Sequence, residues 1–195
     1  MTGDSHGLWP PSSSVRYLCP ADTTPSSSTA AAQDARDPEG DGQSLPRVAF
    51  FTPAPSFGGA QRVTVTIANS LAQRGHDVDL VAGRLEGEFA SAIGDAVNTV
   101  ELDVPAVPGV GILAGIPKLV SYLESRKPAV LFASRTHTNL AAVATGALAD
   151  VDVHVAITEH SPFDYQATAK DRATAAIAAR LYTYADDVVT VSEGV

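Results

Sequence analysis

The sequence predicts an α/β fold: a Rossmann-like, mostly parallel sheet with helices on both faces, preceded by a disordered tail. Three observations carry this expectation. Short apolar runs rich in β-branched residues alternate with stretches of helical period from residue 47 to the C-terminus. The first two runs are joined by a turn containing Gly58-Gly59 and a helical stretch, which makes a βαβ unit. Residues 1–46, by contrast, show no apolar period of any kind.

That first stretch holds Ser12-Ser13-Ser14, a Thr/Ser/Pro run from Thr23 to Thr29, and an acidic, Gly-bearing segment from Asp34 to Gly42. It cannot bury enough surface to offset its ordering entropy, so residues 1–46 are expected to be a disordered extension. Trp9, Tyr17 and Leu18 could serve as a short docking motif; a plain unstructured extension is the favoured reading. The folded domain is then expected to occupy residues 47–195.

Val48 to Thr52 stops at Pro53 and reads as a buried strand. Beyond the glycine pair, Val63, Ile67 and Leu71 recur four apart with Ala68 and Ala72 beside them, so this helical face is expected to be buried. Gly75 sits where a left-handed helix cap belongs, and Asp77 to Ala82 is a second strand. A short helix is expected from Gly87 to Ile93, and a third strand from Val97 to Leu102. Ile112, Ile116, Leu119, Val120 and Leu123 share a helical face running to Arg126, with Pro117 either disturbing that helix or opening it. Ala129 to Ala133 is a fourth strand, and Thr138 or Asn139 can cap a helix that runs to Ala149. Val153 to Thr158 reads as a fifth strand, Ala167 to Tyr184 as an Ala-rich helix, and Asp187 to Ser192 as a sixth strand. The chain stops as a further helix should begin, so a C-terminally truncated domain is expected.

Composition narrows the function classes. The chain has 195 residues, 45% of them hydrophobic, enough for one sizeable core. A net charge of −9 argues against a nucleic-acid partner. Cys19 is the single cysteine, which excludes an internal disulfide and fits a reducing cytosol. No uncharged window reaches the ~20 apolar residues of a membrane span, and the N-terminus lacks a signal-peptide pattern. The histidines are scattered and the acids unclustered, so neither a metal site nor a cofactor is expected.

A family resemblance enters through particular residues. Gly58-Gly59-Ala60-Gln61-Arg62-Val63, then Ala68-Asn69 and Leu71-Ala72-Gln73-Arg74-Gly75-His76-Asp77-Val78, resembles the opening of glycosyltransferase family 4. Ala185 to Val195 resembles the segment near the end of that family's N-terminal domain. The resemblance implies the acceptor-side half of a GT-B enzyme, in which two Rossmann-like domains face each other across a cleft. Such enzymes move a sugar from a nucleotide-sugar donor to a glycan, lipid or small-molecule acceptor with retention of configuration. Without the donor-binding domain, little or no catalysis is expected; a separately encoded donor-binding domain is one candidate partner. A cytoplasmic place follows, free or peripheral at the inner face of the membrane, since membrane association is common in such families. The alternative is a stand-alone Rossmann-like nucleotide-binding or interaction module without chemistry. A dinucleotide oxidoreductase is disfavoured, because Ala82-Gly83-Arg84 stands where an acid for the ribose would be expected.

Candidate site residues follow from placement at strand carboxyl ends, where open parallel sheets bind ligands. Gly58 and Gly59 let backbone N–H groups approach an anion at a helix N-terminus; otherwise the pair merely supplies a turn of positive φ. The resemblance sets this loop against the donor phosphates. Arg62 could pair with phosphate or remain solvated. Thr158-Glu159-His160 resembles the family's active-site strand end, where a histidine contacts the transferred sugar. Glu159 could orient His160, bind an acceptor hydroxyl or face solvent. Arg135 and His137 would suit an anionic or polyhydroxyl acceptor, against a reading of ordinary loop polarity.

Overall fold

Every strand of the sheet runs in the same direction. The computed structural model describes residues 15–17, 45–54, 58–104, 111–160 and 168–190, and side chains are not described for 15–17 or 169–171. Seven strands form one sheet: β1 (Val15–Tyr17), β2 (Val48–Thr52), β3 (Val78–Ala82), β4 (Asn98–Glu101), β5 (Val130–Ser134), β6 (His154–Glu159) and β7 (Asp187–Thr190). Their order is β1-β7-β6-β5-β2-β3-β4. From β2 onward this is the 3-2-1-4-5-6 order of a doubly wound Rossmann sheet, with the order reversing between β2 and β5. The expected α/β class and the six expected strands are present; β2 has the expected bounds, and the described bounds of the others agree or differ by one residue, with the expected end of the last strand, residues 191–192, outside the described residues.

Within the expected tail, residues 15–17 pair parallel with β7 in the register Val15↔Val188, Arg16↔Val189 and Tyr17↔Thr190. The sequence reading did not anticipate that seventh strand. The remainder of residues 1–44 lies outside the described residues.

Among the described residues five helices flank the sheet: α1 (Gly59–Gln73), α2 (Gly111–Ala114), α3 (Ile116–Arg126), α4 (Thr136–Leu148) and α5 (Ala169–Leu181). Helix α1 covers one sheet face, where Phe50, Val78 and Leu80 meet Ala68, and the rings of Phe50 and Phe132 pack 5.3 Å apart. The larger core lies on the other face: Phe51, Val81, Leu131, Ala133 and Ile157 pack against Leu119, Leu123, Ala141, Val143 and Tyr182. Strands buried on both sides read as continuous apolar runs, which is why they were legible.

Four helix expectations need correction. The buried stripe of α1 is Gln61, Thr64, Val65 and Ala68, whereas Val63 and Ile67 are 48% and 38% exposed. A small residue at position 68 lets the helix approach the sheet closely, and the rotation this entails turns Val63 and Ile67 outward. The segment before Arg126 is two helices, with Gly115 between them and Pro117 in the first turn of α3, where its missing N–H costs nothing. Neither Thr138 nor Asn139 caps α4: the helix begins at Thr136, and both residues are buried inside it. In place of the short helix over Gly87–Ile93 there is one 3₁₀ turn, Ala90–Ala92.

A buried charge anchors the amino end of the sheet. Asp79 in β3 is fully buried on the α3 face. Tyr122 Oη donates to its Oδ2 at 2.7 Å, Arg126 Nε donates to the same oxygen at 3.3 Å, and Asn98 Nδ2 donates to Oδ1 at 3.1 Å. Burial raises the carboxyl's pKa, but these hydrogen bonds outweigh it and hold Asp79 below its usual value. The same burial, with Asp79 alongside, pushes the Tyr122 phenol far up, so it stays a donor. Arg47, ahead of β2, is tied to Asp77 and lies 3.7 Å from Asp79, which joins β2, β3, β4 and α3 at one point.

Candidate functional site

The expected site residues all lie at the carboxyl edge of the sheet, in the turns after β2, β5 and β6. The first turn splits the glycine pair into two different roles. Gly58 has φ 135° and ψ 147°, a conformation open essentially to glycine alone. A Cβ there would stand 2.6 Å from Gln61 Oε1, because the Gln61 side chain folds back beneath the turn. Gly59 is the first residue of α1 and a Cβ on it would meet nothing within 4 Å. One glycine is therefore demanded by the backbone, and the other keeps the mouth of the helix open. Among the described residues no side chain caps this N-terminus, and no acid lies in its first turn, which favours an anion at its N–H groups and positive end. Arg62 is exposed on the first turn. Gln61 Nε2 is buried and has no hydrogen-bond partner among the described residues.

After β5 the chain turns sharply at Arg135, which has φ 82° despite its side chain. Its N–H donates to Thr158 O at 3.2 Å, and its carbonyl accepts the first helical bond, from Asn139 N, at 2.8 Å. A strained residue of this kind persists only where its surroundings hold it. Arg135 and His137 are both exposed at this turn, and again no side chain caps the helix.

The end of β6 departs most from a surface reading. Glu159 does not face solvent: it is only 3% exposed. Its Oε2 accepts from Tyr182 Oη at 2.7 Å and Thr136 Oγ1 at 3.0 Å, while its Oε1 accepts from His160 N at 3.1 Å. The carboxylate thus joins the first residue of α4, the turn after α5 and the exit of β6. It is buried at the base of His160, held by three protein donors. The half-buried His160 ring lies with Nε2 3.2 Å from Thr158 Oγ1.

Three residues that sequence reasoning passed over build this arrangement. Asn139, fully buried, donates from Nδ2 to Thr158 O at 2.8 Å and to Tyr182 Oη at 3.1 Å. Tyr182 lies in the 3₁₀ turn Tyr182–Tyr184, and burial followed by the nearby Glu159 charge pushes its phenol far up, which keeps the donor proton in place. Thr136 supplies the third contact. The sequence signal was the polar Thr138-Asn139 pair ahead of the apolar run Leu140 to Ala144, and that signal read more naturally as a cap.

The Glu159 carboxylate therefore ties Thr136, which stands between the exposed Arg135 and His137, to the exit of β6 at His160. Gly58, Gly59 and Arg62 belong to the adjoining turn across the β2–β5 pairing, where Phe51 is in register with Ala133. His76 and His154 lie at the opposite edge, and His154 Nε2 is 2.8 Å from Asp187 Oδ2. A groove of about 840 Å³ between β4 and α3, lined by Asn98, Glu101, Lys118 and Tyr122, lies on the sheet's flank, apart from these turns. Among the described residues no group of three or more His, Cys, Asp or Glu side chains could hold a metal ion, and no helix is long and apolar enough to cross a membrane.

Comparison with known proteins adds a family and a fold. A sequence model of Glycosyltransferase Family 4 matches residues 57–195. No curated protein matches the chain. Among solved structures, sucrose-phosphate synthase from Thermosynechococcus elongatus superposes with a TM-score of 0.56 at 14% identity, over 73% of this chain and 41% of that one. MurG from Acinetobacter baumannii gives 0.53 at 15% identity, over 77% of this chain and 46% of that one. Anabaena HepE in complex with UDP and glucose gives 0.52 at 14% identity, over 74% and 37%. The chain spans less than half the length of each of these proteins, and at such identities the likeness is one of fold.

Proposed function

The chain belongs to Glycosyltransferase Family 4, and from that premise we propose that it is the acceptor-side half of a retaining transferase that takes a sugar from a nucleotide-sugar donor. The observation that carries this reading is the Glu159 carboxylate, which ties Thr136 in the first turn of α4 to the exit of β6 at His160. This carboxyl edge of the sheet lies beside the open N-terminus of α1, at the point where the strand order reverses. That the HepE neighbour was solved with UDP and glucose supports a nucleotide-sugar as the donor class.

In this reading His160 faces the transferred sugar, and its ring can donate or accept near neutral pH. Glu159 acts from the base of that histidine. The Gly58–Gly59 turn and Arg62 lie against donor phosphate, while Arg135 and His137 receive the acceptor. Charge stabilisation of the nucleotide leaving group falls to a second domain, carried on the same polypeptide or supplied by a separately encoded partner. The chain by itself is then expected to give negligible transfer. The place of action is the cytoplasm, free or at the inner membrane surface.

The test is binding. Heteronuclear spectra of the chain, titrated with UDP-sugars, GDP-sugars and simple glycosides, are expected to shift at Gly59, Arg135 and His160, and His160→Ala is expected to remove the response to sugar. Shifts confined to other regions, or an unaltered response in His160→Ala, would remove the reading. Measurable sugar transfer by the purified chain alone would overturn the need for a second domain.

A further inference from the structure

The strongest unexplained feature is a line of buried polar groups that runs from Asn139, in the first turn of α4, through Tyr182 and Glu159 to His160. Asn139 spends both protons of its amide, one on Thr158 O and one on Tyr182 Oη. Tyr182 spends its own proton on Glu159 Oε2, at 2.7 Å. Glu159 closes the line by accepting the His160 N–H. The three side chains are 0%, 2% and 3% exposed, in the order Asn139, Tyr182, Glu159. A core position of this kind would cost less if it were apolar, and a buried carboxylate is tolerated only while its donors are in place.

We propose that Tyr182 and Asn139 are positioning residues for His160, Tyr182 acting through the Glu159 carboxylate and Asn139 through the Thr158 carbonyl. Two constraints converge on the short segment Thr158–His160. Asn139 holds the carbonyl of Thr158, and Glu159, oriented by Tyr182 and Thr136, holds the backbone N–H of His160. The ring of His160 then rests with Nε2 on the Thr158 hydroxyl. Removing the Tyr182 hydroxyl deprives the carboxylate of its shortest bond. Rotation of Glu159 toward the edge would release the His160 N–H and the strand exit with it. The arrangement also links the turn after α5 to the candidate site, so a shift of that turn is felt at His160. The functional meaning of this line rests on the transferase reading, but the line itself does not.

The experiment uses the full chain and needs no ligand. Tyr182→Phe removes one hydroxyl and keeps the ring packing; Thr136→Val removes the second donor to the same oxygen from a different element. For each, the His160 amide exchange rate and the ring signals of His76, His137, His154 and His160 are followed through a pH titration. Tyr182→Phe is expected to speed His160 amide exchange about tenfold relative to the wild type and to move its ring titration, as loss of a hydrogen bond to a charged group should. His76 and His154 at the far edge serve as internal controls and stay unchanged. Thr136→Val is expected to shift His160 in the same direction by less. A merely structural Tyr182 would lower the melting temperature and leave His160 alone. Wild-type exchange and titration of His160 in both variants would overturn the proposal. If His160 responds to the variants but no nucleotide-sugar or glycoside perturbs it, the positioning line stands and the transferase reading falls.

Discussion

Neighbouring glycines Gly58 and Gly59 should respond in opposite ways to the same substitution. Gly58→Ala forces a side chain into a backbone conformation with φ 135°, at roughly 1–3 kcal/mol. The new Cβ would also stand 2.6 Å from Gln61 Oε1, and Gln61 is buried, so its amide must be displaced within packed surroundings. Displacement of that kind adds about 1 kcal/mol, for a total of roughly 2–4 kcal/mol. In a domain of this size that corresponds to a fall in Tm of roughly 5–15 °C. Gly59→Ala meets nothing within 4 Å and sits in the first turn of a 15-residue helix, so it should be neutral or gain up to ~1 kcal/mol. The new methyl nevertheless occupies the space through which an anion would approach the helix N-terminus. Urea denaturation of both variants, paired with titration of a nucleotide-sugar, separates the two effects. Equal destabilisation by the two substitutions would refute the division of roles. A stabilised Gly59→Ala that binds as the wild type does would refute the use of that space by a ligand.

Other outcomes are expected at the two ends of the sheet. Asp79→Asn should cost roughly 2–3 kcal/mol, below the full figure for a broken buried pair because the Arg126 side chain is 41% exposed and can turn to water. Because the folded state holds the Asp79 carboxyl below its usual value, its contribution is complete above the unfolded value of about 4 and is lost as pH falls through the folded value. Thermal melts from pH 7 to pH 2 should therefore show an acid limb that Asp79→Asn makes shallower; an unchanged limb would contradict the network. Arg135→Gly should raise stability by about 1 kcal/mol through relief of its positive φ, while Arg135→Lys leaves stability unchanged. If Arg135 receives an anionic acceptor, the stabilised glycine variant should bind that acceptor less tightly, as calorimetry would show.

Much of the fold was legible because a parallel sheet buried on both faces has to be written as short apolar runs. Val48–Thr52, Val78–Ala82 and Val130–Ser134 stand out for that reason. The glycine pair after β2 and the polar clusters after β5 and β6 were visible by their places at strand ends. Less legible was any choice between equivalent faces. Val63 and Ile67 have the apolar character of a buried stripe, yet the approach of α1 to the sheet is set by Ala68, Thr64 and Gln61. Asp79, inside a strand, carried no sign that it would be the charge around which four elements gather.

The sequence by itself determined the kind of elements, their order along the chain and which turns carry polar residues, because period and turn chemistry act over a few neighbouring positions. The tertiary structure alone decided that Glu159 is buried at the base of His160. Its burial depends on Thr136 and Tyr182, each 23 residues away, just as that of Asp79 depends on Tyr122 and Arg126, 43 and 47 residues away. A carboxylate looks the same in sequence whether water or a ring of donors surrounds it. Only the packing of distant elements determines which of the two it meets.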